Sequence, residues 1–316
     1  MESRGIHHIT SLASDAQRNL DFYAGALGLR LVKRTVNFDA PDVYHLYYGD
    51  ELGRPGTILT FFPYPGAARG KRGAGEASAL AFSVPGGSLG FWIERLSGRG
   101  VALTRRVERF GEEVASFEDP DGMVIELIAD SLSDRIPGWA RSPVGPDRAI
   151  RAFHGATITQ RALEPASSFL VGTMGFAAAG SEGGRHRFIL GPETGRTSID
   201  ILVDPDAPAG RQSAGSVHHI AWRAAGDEEQ LRWRSALIEA GRTPTEVIDR
   251  CYFHSIYFRE PGGLLFEIAT DPPGFSVDET VDSLGGSLKL PRWLEHERSG
   301  IERILPPLAL PAVLPS

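Results

Sequence analysis

The chain repeats itself, and an internal repeat restricts the fold strongly because every copy must build the same small unit. Residues 18–34 read RNLDFYAGALGLRLVKR and residues 164–180 read EPASSFLVGTMGFAAAG. Each segment places an aromatic residue in a helix-like stretch that ends at a glycine, Gly28 or Gly175. A glycine directly after such a stretch is typical of a helix C-terminus. Both segments follow a short strand pattern, so they predict the same strand–helix opening in two parts of the chain.

A second repeat lies further along, where two segments share a hairpin pattern. Residues 117–130 read FEDPDGMVIELIAD and residues 258–271 read FREPGGLLFEIATD. In each, a strand-like run leads into a Pro-Asp-Gly or Pro-Gly-Gly turn and then into alternating apolar residues. Glycine adopts the backbone angles that such turns require, so both segments predict a β-hairpin.

Each hairpin follows a helix-like stretch. The first is SLGFWIERLSGRG over 88–100, and the second is DEEQLRWRSALIEAG over 227–241. In the second stretch Leu231, Leu237 and Ile238 fall broadly on one helical face, and its terminal glycine is a stop signal. We therefore predict a helix in each stretch.

Four units result, each a strand, a helix and about three further strands. We place them at about 5–64, 78–130, 151–204 and 216–271. The fold class predicted is α+β, with four tandem βαβββ modules forming two domains. A linker rich in Ser, Pro and Gly separates the halves. The domain limits predicted are 1–135, 150–275, and 276–316 for a C-terminal helix and a proline-rich arm that packs on the surface.

The charge balance and the single cysteine exclude several classes of function. A net charge of −7 provides no basic field for nucleic acid or for an anionic membrane. Cys251 is the only cysteine, so no internal disulfide framework exists, and a buried filler is the role we expect for it. The N-terminus lacks a signal-type apolar region, and no run reaches the 18 or so apolar residues of a membrane helix. We expect a soluble cytoplasmic protein.

Two His-His pairs stand out in a chain with nine histidines. His7-His8 opens the first unit and His218-His219 opens the fourth. Successive residues of a strand point to opposite faces, so only one histidine of each pair is expected to reach a shared metal ion. The repeat alone does not decide which one.

The four βαβββ units, with FYAGALGL and FREPGGLLFEIATD, resemble the vicinal oxygen chelate superfamily over residues 5–271. That superfamily includes glyoxalases, extradiol dioxygenases and fosfomycin-resistance proteins. The resemblance implies glyoxalase-like domains, with metal ligands in the first strand of a unit and in its last strand, six residues after the hairpin proline. In the fourth unit, that last-strand position is Glu267.

Compared at these positions, the first and fourth units offer the credible ligand set. The second unit has Glu126 but no histidine in its first strand. In the third unit His154 aligns with His7, while Gly155 stands where the first unit has His8. We interpret Glu126 as a structural relic and His154 as a core histidine, with the alternative that His154 replaces His8 as a ligand.

Two further positions bear on the ligand count. Asp200 in the third unit is a carboxylate in poor register with the expected position, and Phe61 stands where a fourth ligand would be in the first unit. A glyoxalase commonly has two carboxylates in its set, so Phe61 argues against a glyoxalase-like lyase. Of the remaining histidines, His186 and His296 are expected at the surface, and His45 on a strand surface or at the rim of a pocket.

Within the superfamily, HHIT, HHIAW, FREPGGLLFEIATD and VNFDAPDVYHLYYGDE (36–51) look like the hydroquinone ring-cleaving dioxygenases. That resemblance implies His8, His219 and Glu267 as ligands, with His7 and His218 beside them. Two histidines and one carboxylate with open positions are typical of a non-haem Fe(II) oxygenase, and the same donors suit Mn(II).

The same resemblance implies the catalytic residues and the partners. The residues expected to take part in catalysis are His7, Thr10, His218, Arg250 and Tyr257. His218 is assigned to the proton transfers or to the reactive oxygen, Tyr257 to a hydrogen bond with the substrate oxygen, and Arg250 to anionic intermediates or to the second hydroxyl. The partners implied are a small aromatic para-diol and O₂, and a homo-oligomer is expected. His254 stands where a basic residue, usually arginine, is expected.

Three alternatives to this function remain. A catechol extradiol dioxygenase would place its histidines in the third and fourth units, where Gly155 speaks against it. A glyoxalase-like lyase would need the fuller ligand set. A binding protein of the bleomycin-resistance kind would use the fold without a metal, which three intact ligands disfavour.

Overall fold

The computed structural model describes residues 3–191 and 196–310. The strands are β1 Ile6–Ala13, β2 Arg30–Asn37, β3 Ala40–Gly49, β4 Ile58–Pro63, β5 Glu76–Val84, β6 Leu103–Arg109, β7 Glu112–Glu118, β8 Val124–Ala129, β9 Ala152–Gln160, β10 Ala177–Glu182, β11 Arg185–Leu190, β12 Thr197–Val203, β13 Val217–Ala224, β14 Ile248–Asp249, β15 Phe253–Arg259 and β16 Leu265–Pro273. The helices are α1 Ala16–Leu20, which continues as a π-helical turn, α2 Leu89–Ser97, α3 Glu164–Gly172, α4 Asp227–Glu239 and α5 Arg298–Ile304. The predicted α+β class and the four strand–helix–strands modules are confirmed.

The strands form two curled eight-stranded sheets, and each sheet joins modules that are distant in sequence. One has the order β14-β15-β16-β13-β1-β4-β3-β2, so it combines the fourth module with the first. The other has the order β10-β11-β12-β9-β5-β8-β7-β6 and combines the third with the second. We call them the 1/4 sheet and the 2/3 sheet. The domain limits drawn along the sequence stay a prediction, since each sheet takes one module from each half of the chain.

The helices begin and end where the sequence predicted. Asp15 caps α1 by accepting a hydrogen bond from the backbone N–H of Arg18, and Gly28 takes a φ of 69° after the π-helical turn. In α4 the buried residues are Gln230, Trp233 and Leu237. Of the three residues predicted for the apolar face only Leu237 is buried, so that prediction was wrong in part.

Leu231 and Ile238 of α4 lie on its outer side, with 53% and 50% of their surface exposed. The inner face is organised instead by Gln230, whose side-chain N–H donates to the backbone oxygens of His254 and Ile268. Two buried carbonyl groups are satisfied in this way, and the helix is rotated so that the glutamine rather than the two aliphatic residues faces the sheet.

The turns of the two predicted hairpins are closed by carboxylates and dock onto the other sheet. Asp119 accepts hydrogen bonds from the backbone N–H groups of Asp121 and Met123, and Asp121 accepts from Ser14 at 2.5 Å. Glu260 closes the equivalent turn of the fourth module and accepts from Gln160 at 3.1 Å. Each hairpin turn thereby ties one sheet to the other.

A β-bulge interrupts each of the two strands at the centre of the 1/4 sheet. Strands β1 and β13 are antiparallel, and their register shifts between Ile6 and His8 on one strand. The second shift falls between His219 and Val217 on the other. The extra residues are His7 and His218, the first histidine of each pair. A bulge bends its strand and redirects the neighbouring side chains, which sets the geometry described below.

The C-terminal segment covers the β2 edge of the 1/4 sheet. The backbone N–H of Lys289 donates to the carbonyl of Arg34. The fully buried Lys33 ammonium pairs with Asp278 at 2.5 Å and with Glu279 at 2.6 Å. The arm continues past α5 and exchanges hydrogen bonds with Gln17 at Ala309, while residues 311–316 lie outside the described part of the chain. Among the helices of the described residues, none is long and apolar enough to cross a membrane.

Candidate metal centre

Three side chains of the 1/4 sheet converge on one point. The Nε2 atoms of His8 and His219 are 3.2 Å apart, and each lies close to Oε2 of Glu267, at 3.3 Å and 2.9 Å. Three donors about 2.1 Å from one ion and at right angles around it are separated by about 3 Å, so the triangle has the size that a single ion requires. His8 lies on β1, His219 on β13 and Glu267 on β16.

The polarity of this triad fits a cation. All three residues are buried, and among the described residues Oε2 of Glu267 is a buried oxygen that makes no properly aligned hydrogen bond despite its close neighbours. Burial alone would raise the pKa of Glu267, but the imidazoles of His8 and His219 hold it well below its usual range. The carboxylate carries a buried negative charge, and its oxygen and the two Nε2 atoms each direct a lone pair to the same point. A divalent ion at that point would balance the charge and accept all three lone pairs.

The first histidine of each pair supports the second. The Nδ1 atoms of His7 and His8 are 2.9 Å apart, and those of His218 and His219 are 2.8 Å apart. A histidine that offers Nε2 to a metal carries its proton on Nδ1 and donates it to a neighbouring acceptor. Here the acceptor is Nδ1 of the preceding imidazole. The expectation that the first histidines lie beside the ligands agrees with this geometry, and the bulges explain how adjacent residues meet on one side of the strand.

Both supporting histidines are neutral. Burial, followed by the neighbouring His8, holds the pKa of His7 well below its ordinary value. Burial and His219 lower the pKa of His218 to about 4. A neutral ring that accepts at Nδ1 carries its proton on Nε2, so both histidines have a defined tautomer.

The other oxygen of Glu267 is fixed from strand β15. Ser255 donates to Oε1 at 2.5 Å, and Tyr257 is paired with Glu267 in the strand register. The guanidinium of Arg250 donates to the Tyr257 hydroxyl at 3.3 Å and reaches Asp39 at 3.2 Å. Burial and the negative charge of Glu267 raise the pKa of Tyr257, which therefore stays protonated.

A cavity of about 350 Å³ opens beside the triad. His8 and His219 line it together with Thr10, His218, Arg250 and Tyr257. The aromatic and apolar residues of its wall are Phe38, Tyr47, Phe62, Tyr64, Phe253 and Leu265. The structure therefore brings six of the residues predicted from the sequence to one cavity, and His7 lies directly behind His8.

The fourth ligand position holds Thr60, not Phe61 as the sequence comparison predicted. Thr10 pairs with Thr60 between β1 and β4, as Ala221 pairs with Glu267 between β13 and β16. The prediction was wrong because the turn after Pro55 has one glycine where the other modules have two turn residues, so counting six residues overshoots by one. Phe61 points to the opposite face and packs against Tyr23 with ring centroids 4.5 Å apart.

Comparison with known proteins identifies the family to which the chain is similar. Residues 5–127 match the family model of the Glyoxalase/Bleomycin resistance protein/Dioxygenase superfamily. MhqO of Bacillus subtilis (strain 168), which is named provisionally as a ring-cleaving dioxygenase, is 45% identical over 97% of both chains. A crystal structure of a dioxygenase, also named provisionally, from Bacillus subtilis subsp. subtilis str. 168 matches with a TM-score of 0.94 at 45% identity, over 98% of this chain and 99% of the other.

The chain belongs to this glyoxalase and dioxygenase superfamily. Within the superfamily, relatives that it matches over nearly their whole length are named as ring-cleaving dioxygenases, in part provisionally. The chlorohydroquinone/hydroquinone 1,2-dioxygenase of Sphingobium indicum is 37% identical over 95% of both chains. The resemblance drawn from the sequence motifs is thereby confirmed at the level of the superfamily and of ring-cleaving dioxygenases.

The 2/3 sheet of this superfamily member has the same architecture without the two histidines. Register shifts fall at Ser78 and His154, the counterparts of the bulges in the other sheet. Gly155 then stands at the position of His8, and Ala79 at the position of His219. A Cβ at Gly155 would lie 1.9 Å from the carbonyl oxygen of Ser198, so no side chain fits there.

The carboxylates of that second site are held by arginines. Glu126 is paired with Arg109 through two hydrogen bonds, at 3.1 and 2.6 Å, and Asp200 with Arg187 at 2.8 and 3.0 Å. Asp200 pairs with Thr157, so it stands in register with Thr60 rather than out of register as predicted. The view of Glu126 as a structural residue fits this pairing.

The remaining histidines and the cysteine lie apart from the triad. His154 bonds to Glu112 at 2.9 Å in the 2/3 sheet. His186 bonds to Ser181, and His254 to Asp227 at the start of α4. His296 is largely exposed. Cys251 is half-buried rather than fully buried, with burial raising its pKa to about 11, so its thiol is not activated.

The sequence comparison missed Ser255, Thr60 and Tyr47. Ser255 lies two residues before Tyr257 on the same strand, so strand alternation would have placed it on the same face. His45 lines the cavity, which settles its two expected positions in favour of the pocket. Its hydrogen-bond partners are Thr60 on β4 and Tyr47 on its own strand.

Proposed function

We propose that this chain is an Fe(II)-dependent dioxygenase that opens the ring of a hydroquinone-type para-diol. The observation that carries the proposal is the triad of His8, His219 and Glu267 at the wall of an aromatic-lined cavity. Two imidazoles and one carboxylate with open positions are the donor set of non-haem Fe(II) oxygenases, and Mn(II) accepts the same donors. The name of the Sphingobium relative supports the para-diol substrate.

His8, His219 and Glu267 would hold the metal. When bound, the metal would supply binding positions for a deprotonated hydroxyl and for O₂. The residues of the chain exclude water and orient the ring. The aromatic wall gives the cavity the apolar character that a small aromatic diol requires.

The proton steps are assigned to His218 and Tyr257. His218 accepts from His219 at Nδ1, so its Nε2 carries a proton that it can donate to an oxygen in the cavity. Tyr257 stays protonated and is a second donor beside Glu267. Arg250 remains charged because the adjacent tyrosine and carboxylates raise its pKa, and it would stabilise an anionic oxygen of the substrate or product.

The test is oxygen uptake after anaerobic loading with Fe(II) or Mn(II), using methylhydroquinone, chlorohydroquinone and catechol. We expect uptake with the hydroquinones and little with catechol. His8→Ala should lower the rate by more than the roughly 10–100-fold that loss of a ligand's hydrogen-bond partner costs. His154→Ala, whose ring lies in the other sheet, is the matched control and should keep the rate.

Two results would contradict the proposal. Faster uptake with catechol than with any hydroquinone would give the chain ortho-diol specificity. No uptake with any diol in protein shown to bind one metal ion per chain would remove ring cleavage altogether.

A further inference from the structure

A chain of hydrogen bonds runs through the cavity wall to the side of the triad. The Tyr47 hydroxyl lies 2.8 Å from Nδ1 of His45, and Nε2 of His45 lies 2.8 Å from Oγ1 of Thr60. Oγ1 of Thr60 in turn lies 3.0 Å from Oγ1 of Thr10. Thr10 is paired with His219 in the strand register and lines the cavity. The chain therefore runs from the far wall of the cavity to Thr10, the strand partner of His219.

The position of His45 in the first module matches that of Ser255 in the fourth module, in the other half of the 1/4 sheet. Tyr47 pairs with Thr60 as Tyr257 pairs with Glu267, and His45 and Ser255 each stand two residues earlier. Ser255 fixes Glu267, which is a triad residue. By the same register, His45 fixes the residue in the fourth ligand position.

The ring of His45 is held in place by its neighbours. It packs against the rings of Tyr47 and Phe62, with centroids 4.0 and 4.2 Å apart. Both ring nitrogens are engaged by hydroxyl groups. A histidine on an open strand surface would have neither constraint, so its orientation is a property of the cavity wall.

In the 2/3 sheet, which lacks the metal-ligand histidines, other residues occupy the positions of His45 and Tyr47. Arg185 stands at the position of His45 and donates to Thr157 at 2.5 Å, and Arg187 stands at the position of Tyr47 and pairs with Asp200. The charged groups of that network pair with one another. The 1/4 sheet has neutral groups at these positions. A chain of neutral hydrogen-bonding groups can be oriented so that the last hydroxyl has a proton left to donate.

The inferred direction starts at the Tyr47 hydroxyl, for which the described residues provide Nδ1 of His45 as the hydrogen-bond partner at 2.8 Å. The hydroxyl stays protonated, since burial raises the pKa of Tyr47 well above its ordinary value, and donation to Nδ1 satisfies its buried proton. The neutral imidazole then carries its proton on Nε2 and donates to Thr60. Thr60 donates to Thr10, whose own proton is left for an acceptor in the cavity.

We propose that His45 is a positioning residue for the ring-cleavage reaction: it orders Thr60 and Thr10 so that the Thr10 hydroxyl offers its proton to a substrate oxygen beside the triad. The inference rests on the proposed function for the reaction, but not for the orientation of the chain. A hydroxyl aimed in advance at an oxygen stabilises charge there without reorganisation during the reaction.

The first test needs no metal and no substrate. Long-range ¹⁵N–¹H spectra of metal-free protein with ¹⁵N-labelled histidine distinguish protonation at Nδ1 from protonation at Nε2, and the His45→Gln variant identifies the signal. We expect His45 as the neutral Nε2–H tautomer. An Nδ1–H tautomer would reverse the chain and overturn the proposal.

The second test separates positioning from structure through paired variants. His45→Phe keeps the ring but removes both nitrogens, and we expect kcat to fall about tenfold with less than a twofold change in KM for methylhydroquinone. His45→Gln offers one acceptor and one donor and should restore most of the loss. His186→Phe, at a partly exposed position of β11 in the other sheet, is the control.

A double-mutant cycle with Thr10→Val decides whether His45 acts through Thr10. If it does, His45→Phe has no further effect in the Thr10→Val protein. Additive losses, or a loss that appears in KM and is not restored by Gln, would contradict the proposal. If the wild-type protein consumes no O₂ with any diol, the proposed ring-cleavage function is contradicted instead. The tautomer of His45 would still show whether the hydrogen-bond chain is oriented as inferred.

Discussion

His7 and His218 are the extra residues of two β-bulges, and each one lies beside the candidate metal ligand that follows it, His8 or His219. Without the bulges, neighbouring side chains would face opposite sides of the sheet. With them, each second histidine donates to the ring directly before it. The orientation of the ligand is thereby specified by two adjacent residues and one local backbone feature.

Ser255 gives a prediction at the scale of a single hydrogen bond. Ser255→Ala removes the donor to Oε1 of Glu267 and leaves that buried oxygen unpaired. We expect metal affinity to fall about 10–100-fold, because partners that orient a ligand contribute on this scale. A competition titration with a coloured chelator measures the change.

Ser116 provides the matched control. It lies 3.5 Å from Glu126 in the 2/3 sheet. Ser116→Ala should leave metal affinity unchanged, because Glu126 is already neutralised by Arg109. Equal losses in both variants would show that the serine beside Glu267 has no special role in metal binding.

The residues that the sequence identified are those with a local signature. His8, His219 and Glu267 lie in strands that recur in the repeated modules, and the motifs around them indicated that they are metal ligands. Thr60 was missed because a turn one residue shorter shifted the count. For His45 the sequence left the pocket rim and the strand surface both open, because its partners lie on β4 and along its own strand and such contacts depend on the curvature of the sheet.

Among the elements, α4 shows why the existence of a helix is easier to predict than its buried face. Its acidic first turn and terminal Gly241 give clear boundaries. The buried face is set by Gln230, which finds two carbonyl partners on β15 and β16. Those partners are far away in the sequence, so the apolar pattern alone placed Leu231 and Ile238 on the wrong side.

This helix gives a prediction with a built-in comparison. Trp233→Ala opens a cavity under α4, where the ring is fully buried, and should lower the free energy of unfolding by about 3–5 kcal/mol. Leu231→Glu changes a residue that is half exposed and should cost no more than about 0.5 kcal/mol. Urea denaturation measures both. A large loss for Leu231→Glu would contradict the orientation described here.

Across the whole molecule, one sheet carries the candidate metal centre and the other replaces it with arginines. Arg187→Met leaves Asp200 and Glu112 without their main cation, and all three side chains are largely buried. We expect a loss of about 3–5 kcal/mol in the free energy of unfolding, the usual effect of breaking a buried ion pair. Metal affinity should not change, and a chelator titration checks this.

Arg106 is the control for that variant. It pairs with Glu113 at the surface of the same sheet, with about half of each side chain exposed. Arg106→Met should cost at most about 1 kcal/mol, since exposed ion pairs are screened by water. Equal losses for the two arginines would show that the network in the 2/3 sheet adds nothing beyond a surface pair.

Glu76, at the start of β5 where the modules meet, predicts a pH dependence. Burial raises the pKa of this carboxyl to about 7, from an ordinary value near 4.5. Because the folded pKa is the higher one, its contribution to stability is present below about pH 4.5 and is lost as the pH rises to 7.

Glu76→Gln removes the ionisation and should stabilise the protein above pH 7 by on the order of 1–2 kcal/mol, after allowance for partial solvent screening. At pH 4.5 the variant and the wild type should be equal. Thermal melts at both pH values measure the difference. A benefit that is the same at the two pH values would rule out the buried charge as its cause.

The pairing of the first module with the fourth also sets an order of events during synthesis. His8 leaves the ribosome 211 residues before His219. At roughly 5–20 residues per second this separation lasts about 10–40 s. During that time one edge of β1 has no β13 to pair with, although its other neighbour, β4, is translated early. The 2/3 sheet ends at Val203, so it is completely translated before β13 while the 1/4 sheet is still incomplete. An unpaired strand edge favours aggregation, so a chaperone that covers this edge of β1 until the fourth module has been made would protect the nascent chain.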